Sequence, residues 1–517
     1  MRARAPVFTA LILPIALLLG CKSVPPTHDS RDAELTTAPT AEVEVLERLL
    51  AVAVAGQTIG SIEARLEKAP DGVWTSRELV TFSLIREGGG DDAQFSSTTE
   101  TVTVYDANHE FVSEVEIERE AGVTITRTVT LEGDEMVSHY AGPGRPPGAK
   151  RFALPPDYRS ALAVDFELIA EWKTTGKPAT RKFSSFDAAR ERFEPIEVTI
   201  TGETDYVFDG ESIPAYVFRA KTEDGTIINS IIDHDLAPLK FEAGGTFVAT
   251  AVTELPAIGG DGAGRINAEL PVTGKTTERW WELASQQVTV TVEGDNPEAP
   301  TLWEDTHYHE VVREGSSYKM ILLSTAPDKG FNPPSLPLEI SDPEIRRYLA
   351  PTPMAQSNNP TIVAKAREVV GDEKNSLIAA AMIVESVFRG LDKRAGVRGS
   401  ATASEVLANG AGDCTEHSVL VVALMRAAGI PARAVDGIVL ASNPDGSGVA
   451  GYHAWAEIWL GEWIGVDATV NETGTSARYL EFGIAEPGSV GSGGKMMRSI
   501  GKTAIELGPH ETYEQQQ

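Results

Sequence analysis

The spacing of apolar residues changes along this chain, and that change limits the folds that the chain can adopt. From residue 60 to about residue 260, apolar and polar side chains alternate in short runs such as residues 101–105 and 206–208. These runs are rich in β-branched and aromatic residues and are separated by Asp-Gly and Gly-Gly pairs, which is typical of antiparallel strands joined by hairpins. Residues 42–55 instead carry apolar residues at helical spacing. We therefore predict an antiparallel β-rich domain over residues 42–265 that begins with a short helix.

The order of these strands, with a helix before them, resembles the half-barrel of periplasmic lipoprotein carriers, whose concave sheet holds acyl chains. The resemblance concerns the order of the elements and no residue motif. A plain β-sandwich that acts as a spacer is an equal alternative, because a fold does not determine a function. We therefore expect either an antiparallel half-barrel or a sandwich in this region.

A second group of strand-like runs lies between residues 287 and 325. The Pro-rich segment 332–337 follows it and is typical of a domain boundary. We therefore predict a second β-rich domain over residues 280–340. His307 and His309 would share one strand face in this domain, but two histidines are too few for a stable metal site. We interpret them as part of a solvated face, and we expect neither a metal nor a cofactor.

The apolar spacing becomes helical after residue 358. Residues 362–369 and 377–388 place apolar side chains three and four positions apart, and the composition becomes rich in Ala. A strand-like hairpin follows further along the chain. The pattern therefore predicts a C-terminal α+β domain over residues 355–508.

The end of the chain carries weaker signals. Residues 487–494 are rich in Gly and Ser and predict a flexible loop, and residues 500–507 predict a last strand. Residues 509–517 are expected to form a polar tail.

The amino terminus has the features of a secretion signal. Arg2 and Arg4 precede an apolar run over residues 11–19 that is too short to span a bilayer stably. The run ends in Leu-Leu-Gly followed by Cys21, which resembles the lipobox of bacterial lipoproteins, where the bond before the Cys is cut and the new terminal Cys carries lipid. Cleavage of a plain signal peptide at another site is the alternative.

The lipobox resemblance implies a signal peptide over residues 1–20, lipidation of Cys21 and a polar tether over residues 21–41. The protein would then contact a membrane through its lipid. The residues after Cys21 lack the Asp that commonly keeps such lipoproteins at the inner membrane. We therefore expect attachment to the outer membrane, facing the periplasm.

Charge and cysteine content narrow the possible partners. The chain has 75 acidic and 45 basic residues and a formal net charge of −30, so it repels phosphate backbones and is not expected to bind nucleic acid. The chain contains two cysteines. If Cys21 carries lipid, Cys414 has no intramolecular disulfide partner. That thiol is either buried and inert or retained for its reactivity.

Cys414 stands where a helix is predicted to begin. Asp413 can cap the free amides of the next turn while Glu416 reaches back, and the apolar run that follows ends at Gly429. The free amides and the helix dipole at this start favour a thiolate, and Gly412 would let a substrate backbone approach. Because the dipole contributes only about 1 kcal/mol, a general base is also required.

Two histidines are candidates for that base. His417 lies one turn along the same helix and can lean back toward the sulfur, but no residue nearby in sequence would orient it, so a packing role is favoured. His453 lies on an alternating strand that turns at residues 461–462 into a strand carrying Asp467. His453 is therefore the stronger candidate.

The length of the hairpin loop decides whether His453 and Asp467 can meet. A two-residue loop places Asp467 on the opposite sheet face from His453. A three-residue loop, with Gly461 in a left-handed conformation, places Asp467 opposite Trp455 and diagonal to His453, within reach of its side chain. We therefore predict the three-residue loop or a β-bulge.

Four motifs in this region, Gly-Asp-Cys-Thr-Glu-His, Gly-Ile-Pro-Ala-Arg-Ala-Val-Asp-Gly, His-Ala-Trp-Ala-Glu and Val-Asp-Ala-Thr, resemble the transglutaminase-like (papain-type) core family. The resemblance covers residues 403–469. It implies an α+β core with Cys414 as nucleophile, His453 as base and Asp467 as the residue that orients the base. The residues alone suggest the same roles, in which a thiolate attacks an acyl carbonyl and the imidazole delivers a proton.

Other residues near these motifs receive less specific interpretations. Members of the family often add an aromatic or amide donor to the oxyanion hole; Phe388 has no donor, and Asn409 is the candidate. Trp455 is a candidate for the substrate cleft, although tryptophans at strand spacing more often belong to a core. Arg433 and Glu457 are interpreted as structural.

The sequence as a whole favours a lipid-anchored periplasmic cysteine enzyme that transfers or hydrolyses peptide or glutamine-type amides through a thioester. Its partner would be a protein or peptide substrate. The alternative is a non-catalytic envelope module that binds through its β-domains. A structural metal site at Cys414 and His417 is a third hypothesis, which needs two more ligands than the neighbouring sequence offers.

Overall fold

The computed structural model describes residues 44–87, 93–120, 123–142, 148–188, 191–223, 225–258, 264–267, 269–295, 301–393, 401–443, 445–484 and 492–515. The predicted signal peptide, Cys21 and the tether lie outside these residues. The chain divides into two compact units, the first holding most residues up to Arg265 and the second most residues from Ile266 onward. Within the described ranges, no helix combines the length and the apolar character needed to cross a membrane.

The first unit consists mainly of strands. Its elements are β1 (Glu44–Val54), β2 (Gln57–Lys68), β3 (Trp74–Glu87), β4 (Ala93–Tyr105), β5 (Phe111–Glu120), β6 (Val123–Glu132), β7 (Glu135–Ala141), β8 (Gly148–Ala153), α1 (Ala161–Thr175), β9 (Ala179–Asp187), β10 (Arg192–Phe208), β11 (Glu211–Lys221), β12 (Ile227–Asp233), β13 (Pro238–Ala243), β14 (Phe247–Val252) and β15 (Gly264–Asn267). One continuous sheet runs in the order β8-β7-β6-β5-β4-β3-β2-β1-β14-β13-β12-β11-β10-β9. The predicted antiparallel β-rich region is therefore confirmed, as one sheet and not as a two-sheet sandwich.

The two ends of this sheet lie close together. Phe152 of β8 contacts Phe186 of β9, with ring centroids 5.2 Å apart. The segment before α1 runs beside the outer edge of β9, where Ser184 N donates to Asp157 O at 3.1 Å and Arg159 N donates to Ser184 O at 3.3 Å. The sheet therefore curls, and neighbouring chain pairs with part of its free edge.

Residues 44–54 form a strand, so the helix predicted over residues 42–55 is wrong. Strand β1 pairs with β2 on one side and with β14 on the other. Its alternate residues Leu50, Val52 and Val54 are buried. Leu, Ala and Val fit both structures locally, and pairing on both sides decides in favour of the strand. Helix α1, which packs against β9 and β10, was not predicted.

The second unit mixes helices and strands. Its elements are β16 (Glu269–Leu270), β17 (Val272–Thr273), β18 (Leu283–Val292), β19 (His309–Glu314), β20 (Ser317–Leu323), α2 (Pro343–Arg346), α3 (Pro360–Val370), α4 (Ser376–Gly390), β21 (Asp392–Lys393), α5 (Ala403–Asn409), β22 (Ala411–Gly412), α6 (Cys414–Ala427), β23 (Ala432–Ser442), β24 (Gly448–Trp459), β25 (Trp463–Asp467), β26 (Glu472–Thr473), β27 (Tyr479–Ile484), α7 (Ser492–Ser499) and β28 (Thr503–Thr512). Helices α3 and α4 confirm the helical spacing of residues 362–369 and 377–388.

Two sheets organise this unit. One runs in the order β26-β25-β24-β23-β27, with β16 beside β24, and α6 packs against β23 and β24. The other runs in the order β17-β28-β18-β20-β19. Leu322 and Ile505 of the second sheet share one apolar cluster with Leu440 and Phe482 of the first. The strands predicted as a second β-rich domain therefore lie in the same compact unit as the α+β region.

The end of the chain differs from its prediction. Strand β28 continues to Thr512, where it pairs with Leu283 of β18, so part of the predicted tail is strand. Helix α7 occupies Ser492–Ser499, which overlaps the end of the predicted loop. The rest of that loop lies outside the described residues. The partner strand β18, which is distant in sequence, explains why the local pattern did not reveal the length of β28.

Candidate active site

Cys414 is the first residue of α6, and hydrogen bonds to Asp413 fix the start of that helix. Thr415 N donates to Asp413 Oδ1 at 2.8 Å, and Asp413 N donates to Glu416 Oε2 at 2.9 Å. The predicted capping box is therefore confirmed. The thiol lies in the first turn of the helix, where the helix dipole favours negative charge.

The start of α6 requires a glycine at position 412. A Cβ atom at this position would lie 2.3 Å from Glu416 Cβ. Because Glu416 closes the capping box, the residue before Asp413 has no room for a side chain. In the structure, the side chain that comes close to the Gly412 backbone is that of Glu416.

The hairpin that carries His453 and Asp467 has the predicted three-residue loop. Trp459 of β24 pairs with Trp463 of β25, which leaves three residues between the strands. Gly461 in that loop has a φ of 104°, a value that favours glycine. This register puts His453 and Asp467 on the same face of the sheet.

His453 and Asp467 form a buried ion pair. His453 Nε2 lies 2.7 Å from Asp467 Oδ2, and their side chains are 13% and 1% exposed. Burial alone would lower the pKa of His453, but the charge and hydrogen bond of Asp467, with a contribution from Cys414, raise it to about 10. Although burial opposes ionisation, His453 also holds the pKa of Asp467 well below its usual range. The pair is therefore an imidazolium facing a carboxylate.

Cys414 interacts with the same imidazole. Its side chain contributes a hydrogen bond and a charge interaction to the raised pKa of His453. Because Nε2 of His453 faces Asp467, Nδ1 is the ring nitrogen left for an interaction with the thiol. Cys414 is half-buried. The structure thus brings together the three side chains that the sequence singled out.

Two further residues hold the Asp467 carboxylate. Thr469 donates to Oδ1 through its backbone N at 2.8 Å and through Oγ1 at 2.5 Å. Tyr479 OH lies 2.9 Å from Oδ2. Sequence analysis missed both residues. The Asp-Ala-Thr spacing is typical of a local turn and could have revealed Thr469, whereas Tyr479 arrives from β27 and has no local signal.

The buried guanidinium of Arg478 holds the Tyr479 hydroxyl in place. Arg478 Nη2 donates to Tyr479 OH at 2.8 Å and to Glu472 Oε2 at 2.9 Å. The Trp280 ring lies over the guanidinium, 3.6 Å from its central carbon. A chain of contacts therefore leads from Trp280 to Asp467.

Trp455 belongs to the core, so its prediction as a cleft residue is wrong. The residue is 0% exposed. Its Nε1 donates to Tyr308 OH at 2.7 Å, and its ring lies nearly parallel to that of His453, with centroids 6.2 Å apart. Tyr308 comes from the loop before β19 and covers this face of the sheet. Trp455 therefore supports His453 from within the protein.

The remaining candidates lie around these residues. His417 Nδ1 lies 2.7 Å from Asp413 O, and burial lowers the pKa of His417. His417 is therefore a neutral, buried ring, which agrees with a packing role and not with that of the general base. Asn409 is the last residue of α5 and is exposed. Phe388 lies on α4 below the Lys393 ammonium, which is 4.2 Å from the ring centroid.

A second ionic group lies on the same face of β24. Glu457 is fully buried, its Oε1 lies 2.7 Å from His307 Nε2, and its Oε2 is bound by Arg433. This geometry supports the structural interpretation of Arg433 and Glu457. His309 is 0% exposed and burial lowers its pKa to about 4, so the predicted solvated face is wrong for His309, whereas the His307 side chain is 34% exposed. In the part of the chain that the structure describes, no group of His, Cys, Asp and Glu is arranged to hold a metal ion.

Comparison with known proteins supports the assignment of the C-terminal region. Residues 363–468 match the Transglutaminase-like superfamily. The C-terminal helices and strands therefore carry a transglutaminase-like domain, and this superfamily is one of cysteine enzymes. No curated protein matches the chain.

Three solved structures are similar to the chain in part. A candidate cysteine protease from Cytophaga hutchinsonii is 16% identical, with 44% of this chain and 85% of that chain covered and a TM-score of 0.29. A β-barrel-like protein of a domain of unknown function from Brucella abortus is 12% identical, with 40% and 94% covered and a TM-score of 0.32. A candidate protease from Parabacteroides distasonis is 10% identical, with 80% and 68% covered and a TM-score of 0.18.

Proposed function

We propose that this protein is a transglutaminase-like cysteine enzyme that forms a thioester with peptide or glutamine-type amides. One observation carries the proposal: Cys414, at the N-terminus of α6, interacts with His453, which is hydrogen-bonded to Asp467. The match of residues 363–468 to a cysteine-enzyme superfamily supports it. Cys414 is the proposed nucleophile, His453 the base and Asp467 the residue that orients the base.

In the proposed reaction, the Cys414 thiolate attacks the amide carbonyl carbon and gives a tetrahedral oxyanion at the positive end of the α6 dipole, which stabilises negative charge. The C–N bond then breaks, and the His453 imidazolium gives its proton to the departing amine. The neutral imidazole next takes a proton from water or an acceptor amine, which attacks the thioester carbonyl. An acid or a new amide leaves, and the thiolate and imidazolium are restored.

We also propose that Cys21 carries lipid and holds the enzyme at the periplasmic face of the outer membrane, where the acyl donor is a protein or peptide. The run of residues 11–21 supports this placement. Metabolic labelling with a clickable palmitate analogue tests it: wild type should be labelled and Cys21→Ser should not. Equal labelling of both forms contradicts lipidation at Cys21.

An amide probe that traps thioesters tests the catalytic proposal. Because Cys21→Ser leaves Cys414 as the remaining thiol, that variant is the parent form. The parent should be labelled, Cys414→Ser should not, and His453→Ala should be labelled at least about 100-fold more slowly because general base catalysis is lost. His139→Ala is the control, since His139 is an exposed residue of β7 in the first unit. Mass spectrometry of the trapped acyl-enzyme from envelope extracts would identify the substrate peptide.

Absence of labelling in every form contradicts the proposal and leaves the non-catalytic binding module. Labelling of Cys414→Ser would show that another residue reacts. Equal rates for His453→Ala and the parent would remove the base from the proposed reaction.

A further inference from the structure

Tyr479 is the first residue of β27, and its hydroxyl reaches Asp467 through a fully buried interior. The side chain packs in one apolar cluster with Tyr308, Val435 and Trp455. Its ring lies 5.0 Å from the Trp455 ring and 6.3 Å from the His453 ring, centroid to centroid. The phenol therefore has a fixed position beside the His453–Asp467 pair.

The hydrogen-bond direction of this phenol follows from its neighbours. Arg478 Nη2 can only donate, so the Tyr479 oxygen accepts from it at 2.8 Å. The single phenol proton must then point to another atom, and two carboxylate oxygens are in range, Asp467 Oδ2 at 2.9 Å and Glu472 Oε2 at 2.7 Å. Tyr479 therefore stands between two negative charges.

The two carboxylates differ in what else holds them. Glu472 Oε2 accepts from Arg478, and Ser476 Oγ donates to Glu472 Oε1 at 2.9 Å. Asp467 accepts two bonds from Thr469 on Oδ1, and its Oδ2 contacts His453 and the Tyr479 hydroxyl, which lies between Asp467 and Glu472. Without the phenol, Oδ2 loses its second polar contact, and the two carboxylates lose the hydroxyl that separates them.

We infer that Tyr479, oriented by Arg478, is a positioning residue that aims Asp467 at His453 and separates Asp467 from the like charge of Glu472. This inference rests on the proposed function. Tyr479 acts on the reactivity of Cys414 through Asp467 and His453. Because Tyr479 belongs to β27, the position of that strand also influences the orientation of the His453 imidazole.

Tyr479→Phe removes the hydroxyl and keeps the ring in its cluster, so it isolates this contact. In the Cys21→Ser parent, we expect Tyr479→Phe to lower the maximal rate of labelling by the thioester-trapping amide probe roughly tenfold and to leave the half-saturating probe concentration unchanged, since a hydrogen bond to a charged group is lost. The alkylation rate of Cys414 should fall to a similar extent. The far-downfield proton resonance of the His453 Nε2–H, which reports the bond to Asp467, should broaden or shift.

Tyr318→Phe is the matched control. Tyr318 is fully buried in the same unit, and its hydroxyl donates to Asp295 Oδ2 at 2.5 Å beside Arg313 and Arg498. The two variants thus lose the same kind of bond. Tyr318→Phe should lower stability to a similar extent and leave the His453 resonance and Cys414 alkylation unchanged.

The inference is overturned if Tyr479→Phe matches Tyr318→Phe in the His453 resonance, in Cys414 alkylation and in labelling by the amide probe. If Tyr479→Phe does not fold, Arg478→Lys provides the test, because it keeps the charge and removes the planar guanidinium whose Nη2 donates to Tyr479 and Glu472 together. The resonance should then broaden, and an unchanged resonance overturns the inference. If the parent shows no thioester chemistry, the proposed function fails, while the resonance still tests the role of Tyr479.

Discussion

At the scale of single residues, the charge of His453 is determined by its partner. The ring is mostly buried, which disfavours a proton, yet the Asp467 carboxylate raises the pKa of His453 to about 10. The folded protein therefore holds this proton more tightly than the unfolded chain does. Folding is coupled to protonation wherever the two states differ in this way.

This coupling predicts how stability depends on pH. Because the folded-state pKa of His453 is raised from 6.5 to about 10, its stabilising contribution is complete below pH 6.5 and is lost as the pH rises toward 10. In Asp467→Asn the amide no longer holds the imidazole proton, so this loss should shrink. Urea unfolding of both forms at several pH values between 6 and 10 measures the difference.

Asp209→Asn is the control for that experiment. Asp209 lies in an exposed turn of the first unit with a φ of 51°, which asparagine tolerates. Its unfolding free energy should follow the wild-type pH dependence. If Asp467→Asn also does so, the ion pair does not supply the pH-dependent stability.

Local signals fix the positions of some residues of the candidate site, and packing between distant segments fixes the positions of the others. A cap fixes Cys414 and a loop length fixes the relation of His453 to Asp467, and both signals lie within a few residues, so the sequence predicts these three. The contacts of Tyr479 and Trp455 depend on packing between distant segments. Propensity and spacing do not contain that information.

At the scale of elements, the start of α6 combines a structural and a chemical role. Asp413 caps the start of α6, one residue before Cys414, and its side chain accepts a hydrogen bond from Thr415 N in the first turn. Cap and nucleophile are therefore adjacent in space as well as in sequence. A change in the cap should affect both stability and reactivity.

Asp413→Ala should lower the free energy of unfolding by about 1 kcal/mol and slow alkylation of Cys414, because the first turn of α6 frays. Asn375→Ala is the matched control, since Asn375 caps α4 by accepting from Leu377 N and Ile378 N. It should lower stability by a similar amount and leave alkylation unchanged. Equal alkylation in both variants would show that the cap has no influence on the thiol.

The sequence predicts those helices and strands that depend on contacts between residues close in sequence, and it misses those that depend on distant strands. Helix α6 begins at its capping box and follows its own signals. Strand β1 carries residues that suit a helix, but β2 and β14 pair with it on both sides. Strand β28 likewise extends past its apolar pattern because β18 pairs with it as far as Thr512.

At the scale of the whole molecule, the second unit depends on strands far from the candidate site. Leu322 of β20 is 0% exposed and belongs to the apolar cluster that joins both sheets of this unit. Removal of its side chain leaves a cavity in the shared core. The cavity should therefore also lower the stability of the helices and strands that hold Cys414.

Leu322→Ala should lower the stability of the second unit by about 2–5 kcal/mol and expose Cys414 to alkylation at a lower urea concentration. Leu239→Ala is the control, because Leu239 is equally buried but lies in the first unit. It should leave the urea midpoint of Cys414 alkylation unchanged. If Leu322→Ala also leaves it unchanged, the strands of residues 280–340 unfold independently of the transglutaminase-like domain.

The curled sheet of the first unit has a consequence for how the protein behaves at high local concentration. A strand edge with free amides and carbonyls can template pairing with another chain. Here Asp157 and Arg159 occupy bonding groups of Ser184 on the outermost strand β9. The fold thus blocks part of the strand edge on which neighbouring molecules would otherwise polymerise, and a side-chain bond from Ser184 Oγ to Asp157 Oδ2 reinforces the backbone pairing.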